Sequence, residues 1–190
     1  MNTIKNQLQF KMKVISTNIG VRKKVDWKGT LLETGIFKQP VASIYLDKED
    51  VQKDAVIDRR YHGGIDKAVY AYSVDHYPYW KELYPALEWD FGMFGENLSV
   101  EGLEESKLHI GDSFKVGAAI IEVTGPREPC VKLGMRFKDA KVIKQFWKQT
   151  KSGVYFKVRQ AGEVKAGDVL EPLQSKKENK TIAEEYLARK

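Results

Sequence analysis

Three polar, glycine-containing stretches hold the side chains of this chain that are best suited to chemistry. The first contributes Arg59, Arg60, His62, Gly63, Gly64, Asp66 and Lys67, the second Gly95, Glu96 and Asn97, and the third Arg127, Glu128 and Cys130, with Lys132 just beyond. Glycine pairs expose backbone N–H groups that can bind an anion, and arginine and lysine neutralise phosphate. We therefore expect three loops around one cleft, which binds phosphate or sulfate when no cofactor is present.

The third stretch presents the only cysteine of the chain, Cys130. Pro126 and Pro129 restrict the backbone before it and predict a rigid loop. The apolar run 118–124 predicts a buried strand that leads into this loop. A lone cysteine is usually a small core hydrophobe, but a core strand would not carry an arginine, a glutamate and two prolines here. The pattern therefore favours a functional thiol, which as a thiolate is a soft metal ligand and a nucleophile.

Other chemistries compete with this interpretation. Cys130, His62 and Asp66 are the residue types of a cysteine hydrolase, although the sequence does not show that they meet. The three histidines lack the spacing of zinc ligands, so a structural zinc site is not expected. Binding of nucleic acid by basic and aromatic residues is also not expected, because the aromatic residues are better explained as core.

Charge and composition indicate the compartment and the class of partner. The formal net charge is +6, and it suits a phosphorylated small molecule better than nucleic acid. No stretch reaches membrane-spanning length, and the N-terminal residues lack the apolar region of a signal peptide. One cysteine cannot form an internal disulfide, and a lone thiol suits a reducing compartment. We expect a cytoplasmic protein without a membrane partner.

Short apolar or alternating runs between turn residues predict a mainly β chain, a β-barrel-like fold with a few peripheral helices. The predicted strands cover residues 14–19, 30–37, 41–46, 68–72, 98–100, 110–116, 118–124, 153–158 and 168–170. Trp27 and Gly29 are placed in a loop, and Gln39–Pro40 in a turn. Helices are predicted from Asp75 to Tyr84 and over 139–149.

The length of 190 residues corresponds to one domain. We divide the chain into an N-terminal leader at 1–12, a domain at 13–172 and a C-terminal tail at 173–190. The tail follows the last predicted strand and begins with a polar run, so we expect it to be dispensable. Thr181 and Glu184 have the spacing of a capping box and predict a short helix within it.

Five motifs in a fixed order resemble a known family. They are His62–Tyr70, Phe94–Leu98, Ile110–Asp112, Pro126–Cys130 and Gly153–Val158. Together they resemble a MOSC domain, the C-terminal module of molybdenum-cofactor sulfurases, and are most similar to its stand-alone bacterial YiiM-like branch. The resemblance covers roughly residues 13 to 172 by motif matching.

The resemblance implies a barrel-like β fold and a molybdenum cofactor (Mo-molybdopterin). It makes Cys130 the metal ligand and the catalytic sulfur. It places the cofactor-binding role on His62, Gly63, Gly64, Lys67, Asn97, Arg127 and Lys132. The implied activity is the reduction of N-hydroxylated small molecules. A separate protein would donate the electrons, because one cysteine cannot hold an iron–sulfur cluster.

The resemblance also leaves a second function open. The chain could be a non-catalytic sulfur carrier that receives a persulfide on Cys130 from a cysteine desulfurase. The sequence shows no pyridoxal-phosphate desulfurase domain, so we do not expect a complete sulfurase.

Overall fold

The computed structural model describes residues 11–57 and 63–190 of the chain. The predicted roles of Arg59, Arg60 and His62, and most of the predicted leader, therefore lie outside the described residues. The strands are β1 (Lys13–Gly20), β2 (Lys23–Trp27), β3 (Thr30–Thr34), β4 (Lys38–Val41), β5 (Ser43–Leu46), β6 (Val69–Ser73), β7 (Leu98–Glu101), β8 (Ser113–Val116), β9 (Ala119–Pro126), β10 (Val154–Gln160), β11 (Gly162–Lys165) and β12 (Glu171–Gln174). The α-helices of the described ranges are α1 (Tyr77–Leu83), α2 (Val131–Phe137), α3 (Lys141–Lys148) and α4 (Ile182–Leu187).

The fold is organised by one large sheet, which curls into a half barrel. Its eight strands follow the order β12-β8-β9-β10-β6-β7-β1-β4. The pair β6–β7 is parallel, and the other neighbours are antiparallel. Strand β9 alternates fully and partly buried residues from Ala119 onward, as expected when one face of a strand covers the core. The predicted mainly β fold is confirmed.

Two apolar clusters hold the elements together. A mainly aliphatic cluster joins strands of the large sheet to β5 and β11 and includes Val14, Ile44, Leu98, Ile121 and Val164. An aromatic cluster packs α1, α2 and α3 against β6. Within it the rings of Tyr72 and Phe94 stack with centroids 4.0 Å apart. Because this cluster fixes the loop before β7 and the start of α2, it positions two of the three predicted site stretches.

The sequence prediction was wrong at two turns. Lys23–Trp27 is a strand rather than part of a loop, and it forms a hairpin with Thr30–Thr34, which was predicted as a strand. Lys28 and Gly29 are the two-residue turn, both at positive φ. Gln39 and Pro40 are not a turn but lie inside β4, opposite Ile19 and Asn18. Strand β4 is at the edge of the large sheet, where the missing N–H of a proline breaks no ladder.

The prediction also missed helix α2 and overextended others. Val131–Phe137 directly follows Cys130, where the sequence analysis assigned no element. The predicted helix over 139–149 is present as α3, Lys141–Lys148. The predicted strand at 168–170 is absent from the described residues, apart from one bridge between Val169 and Lys13.

The C-terminal tail is an integral part of the fold. Strand β12 pairs with β8, and the Ile182 amide donates a hydrogen bond to the Leu108 carbonyl oxygen at 2.8 Å. Thr181 caps α4 in the predicted capping box with Glu184. The side chains of Ile182 and Tyr186 are completely buried. This packing argues against the expectation that residues 173–190 are dispensable, because their removal would uncover the core that Ile182 and Tyr186 fill.

Candidate active site

One cavity brings the three predicted stretches together. It has a volume of about 90 Å³. The residues of the predicted stretches that line it are Gly63, Lys67, Gly95, Asn97, Arg127, Cys130 and Lys132. Gly64 is not among its lining residues, and its amide donates to the Glu49 carbonyl oxygen at 2.9 Å instead. His62 lies outside the described residues. The roles assigned to these residues remain predictions.

Cys130 owes its position to two rigid elements. Strand β9 ends at Pro126, and Cys130 is the N-cap residue of α2 in extended conformation. The Leu133 amide donates to the Cys130 carbonyl oxygen at 2.9 Å and closes the first turn of that helix. The residue is half-buried at the cavity wall. Its sulfur is thus held between a strand end and a helix start.

Arg127 ties the third stretch to the second. It is only 4% exposed, and its guanidinium donates to the Phe94 carbonyl oxygen. The guanidinium carbon lies 4.9 Å from the centroid of the Tyr70 ring. Burial lowers the pKa of Arg127, but the nearby oxygens of Tyr70 and Tyr155 and the Cys130 sulfur outweigh it and raise the pKa above its ordinary value. Arg127 therefore brings a permanent positive charge to the cavity wall.

Glu96 organises the second stretch from inside. Its side chain is completely buried and accepts hydrogen bonds from the Tyr77 hydroxyl, the Ser99 hydroxyl at 2.8 Å and the amides of Gly92 and Phe94 at 3.0 Å. Burial raises its pKa above the usual 4.5, although these donors oppose the shift. Glu96 does not line the cavity, but it fixes the loop that carries Gly95 and Asn97 to it.

The raised pKa of Glu96 predicts a pH dependence of stability. The unfolded chain releases this proton near pH 4.5, whereas the folded state retains it to higher pH. The stabilisation is therefore fully present below pH 4.5 and is lost as the pH rises through the folded-state value. Urea titrations at several pH values should compare the free energies of unfolding of the wild type and Glu96→Gln. We expect the wild-type value to fall relative to the variant value as the pH rises.

The exposed Glu88 provides the matched control for this test. Glu88→Gln should change the free energy of unfolding by less than about 0.5 kcal/mol. A difference between wild type and Glu96→Gln that stays constant with pH would contradict the assignment.

A buried ion pair lines the same cavity and was missed by the sequence analysis. Lys38 Nζ contacts Asp54 Oδ2, and the side chains are 7% and 4% exposed. The Asn97 amide group donates to Asp54 Oδ2 at 2.8 Å, and the Gly20 amide donates to Asp54 Oδ1 at 2.8 Å. Burial lowers the pKa of Lys38, while Asp54 opposes the shift. Nothing in the sequence marks this pair, because its members lie on different segments with ordinary neighbours.

The MOSC domain family model matches residues 58–171, a range that contains every predicted site residue. The chain belongs to the MOSC domain family. It is 38% identical over 166 residues to the uncharacterized protein YflK of Bacillus subtilis strain 168, covering 87% of this chain and 75% of YflK. The crystal structure of YiiM from Geobacillus stearothermophilus matches it with a TM-score of 0.76 at 32% identity, covering 94% of this chain and 83% of that one. The predicted resemblance to the YiiM-like branch is confirmed.

One further relative of this MOSC chain carries a functional name. A protein named reductase, from Gibberella moniliformis, is 35% identical over 116 residues. The match covers 60% of this chain but only 21% of the reductase. This chain therefore corresponds to only one part of the larger reductase.

MOSC domains are associated with binding of the molybdenum cofactor. The donor set of the cavity suits such a group. Cys130 offers a soft sulfur ligand, and Arg127, Lys67 and Lys132 offer cations for an anionic pterin phosphate. Cofactor sites typically measure roughly 300–1,000 Å³. The cavity is smaller, so a whole cofactor must extend beyond it.

Among the described residues, no helix is long and apolar enough to cross a membrane.

Proposed function

We propose that this MOSC chain binds the molybdenum cofactor through Cys130 and reduces N-hydroxylated small molecules. The observation that carries the proposal is that one cavity contains the chain's only thiol, a buried arginine and a buried Lys38–Asp54 pair. Membership of the MOSC family supports a function related to the molybdenum cofactor, and the relative named reductase supports a reduction. The compartment we propose is the reducing cytoplasm, where a lone thiol persists.

The residues of the cavity have distinct roles in this proposal. Cys130 Sγ would hold the metal, and Arg127, Lys67 and Lys132 would neutralise the cofactor phosphate. When bound, the cofactor supplies the two-electron redox chemistry. Asn97 orients Asp54, and Asp54 in turn orients the Lys38 ammonium at the cavity wall.

The reaction balances with two electrons and two protons, which convert an N–OH group to N–H and release the oxygen as water. A separate donor protein supplies the electrons. Lys38 Nζ is the candidate donor of the proton to the departing oxygen. A lowered pKa brings this ammonium closer to neutral pH, where proton transfer is efficient. Asp54 Oδ2, in contact with Nζ, stabilises the charged form between turnovers.

The decisive experiment is expression of the chain in a molybdenum-replete host. We expect molybdenum stoichiometric with protein, and conversion of a hydroxylamine-type substrate to the amine with a chemical electron donor. Protein without molybdenum or turnover, but with a persulfide on Cys130 by intact mass, would instead identify the sulfur carrier of the alternative interpretation.

A further inference from the structure

A second, larger cavity adjoins the first one. Its volume is about 650 Å³, in the range typical of small-molecule sites, roughly 300–1,000 Å³. Lys67 and Tyr155 line both cavities. The Lys67 ammonium lies 5.8 Å from the centroid of the Tyr155 ring. These two residues therefore lie between the Cys130 cavity and the larger cavity, which we call the β10 groove.

Strand β10 forms a track along this groove. Tyr155 and Lys157 lie two residues apart on one face of the strand, Arg159 follows at an irregularity in the pairing with β9, and all three line the groove. At about 3.3 Å per residue the track runs roughly 13 Å from Tyr155 to Arg159. It begins at Tyr155 in the wall of the Cys130 cavity and ends at the cationic side chains of Lys157 and Arg159.

The groove carries a surplus of positive charge. Its lining includes five cationic side chains, Lys67, Lys157, Arg159, Lys176 and Arg189, and two acidic ones, Asp66 and Glu122. Glu122 pairs with Lys157 at 2.8 Å and with Arg159 at 2.6 Å. Arg189 pairs with Glu128 at 2.9 Å and with Glu185 at 3.1 Å, neither of which lines the groove. Lys176 Nζ lies 3.9 Å from Glu178 Oε1, which is too far for a hydrogen bond.

We propose that the β10 groove binds the phosphate group of a nucleotide-sized organic phosphate whose other end reaches Cys130. This inference rests on the proposed function and names its substrate class, a phosphorylated N-hydroxylated compound. The proposed function assigns the cofactor phosphate to Arg127, Lys67 and Lys132, which line the Cys130 cavity. Lys157, Arg159 and Lys176 are additional to them, and the length of the track suits a substrate that lies across Tyr155 with its phosphate at the far end.

The first test measures binding without any turnover. The whole chain, expressed without molybdenum, is titrated with adenosine 5′-monophosphate and with adenosine by calorimetry. We expect the phosphate to improve affinity at least about tenfold, as one charge-assisted hydrogen bond would. The gain should shrink with added salt. Equal affinities for the two probes, or no binding of either, would overturn the proposal while leaving the molybdenum and turnover experiments unaffected.

Charge reversal locates the phosphate. Lys176→Glu should weaken monophosphate binding about tenfold and leave adenosine binding unchanged. Lys115→Glu is the matched control, because it makes the same change in net charge at an exposed position of β8 outside the groove lining. A loss of equal size in Lys115→Glu would show a non-specific effect of net charge and would refute the site.

Two further outcomes would also refute the assignment. If Lys176→Glu lowers molybdenum content but not monophosphate binding, the groove serves the cofactor phosphate. If it leaves monophosphate binding intact and slows only reduction by an acidic donor protein, the groove is a protein-docking surface. In active enzyme, the proposal expects Lys176→Glu to raise KM about tenfold for an N-hydroxylated nucleoside monophosphate, with kcat and the KM of the unphosphorylated nucleoside unchanged.

Discussion

Cys130→Ser should give a folded protein with almost no reductase turnover. Serine is nearly the size of cysteine. At the half-buried position between β9 and α2, it should therefore keep the loop in place. A serine hydroxyl is a hard and weakly acidic group that does not replace a thiolate on molybdenum. Loss of residues that only support a ligand costs roughly 10- to 100-fold, so loss of the ligand itself should cost at least about 100-fold.

Turnover with a chemical electron donor, molybdenum content and melting temperature together check this prediction. Val131→Ala is the matched control, since Val131 is the next residue in the chain and is 45% exposed. It should keep both its melting temperature and its turnover. A Cys130→Ser variant that is folded and fully active would show that Cys130 is not the metal ligand and would remove the basis of the proposed mechanism.

Tyr186→Ala should destabilise the protein by roughly 3–5 kcal/mol, the cost of deleting a fully buried aromatic side chain. The Tyr186 ring is completely buried and stacks on Trp147 with centroids 5.0 Å apart. Its hydroxyl donates to the Phe146 carbonyl oxygen at 3.2 Å. The substitution would leave a cavity between α4 and α3, while the Phe146 carbonyl oxygen would keep its hydrogen bond from the Gln149 amide at 3.2 Å.

Urea denaturation of two companion variants separates the contributions of the ring and the hydroxyl. Tyr186→Phe keeps the ring and should cost only about 1 kcal/mol for the lost hydrogen bond. Leu187→Ala, at the neighbouring position that is 51% exposed, should stay within about 0.5 kcal/mol of wild type. A Tyr186→Ala variant as stable as Leu187→Ala would mean that the tail is separable after all.

The position of the tail also determines which charge changes can test the site. Lys176, which the sequence places in a dispensable tail, lines the β10 groove. It therefore cannot serve as a neutral reference for charge changes at the site. Charge reversal at Arg127 is also uninformative, because Arg127 is buried against Phe94 and Tyr70 and its reversal would disturb the fold.

The sequence alone determined the mainly β fold and the three polar stretches whose residues line the Cys130 cavity. Local signals suffice for both. Alternating apolar residues identify β9, and the spacing of Thr181 and Glu184 identifies the cap of α4, because these interactions are made within a few residues. Glycines, prolines and charged residues between apolar runs mark loops, and loops on a β scaffold are where ligands bind.

Only the tertiary structure decided which of those residues meet and which are buried. Lys38 and Asp54 are 16 residues apart and form a buried pair, and Asp54 accepts a hydrogen bond from Asn97, a further 43 residues along the chain. The tail carries the same kind of polar run as a disordered terminus. Tyr186 is nevertheless buried, because its ring packs on Trp147 of α3. Such contacts depend on the packing of distant segments, and no local pattern encodes the partner that lies across the core.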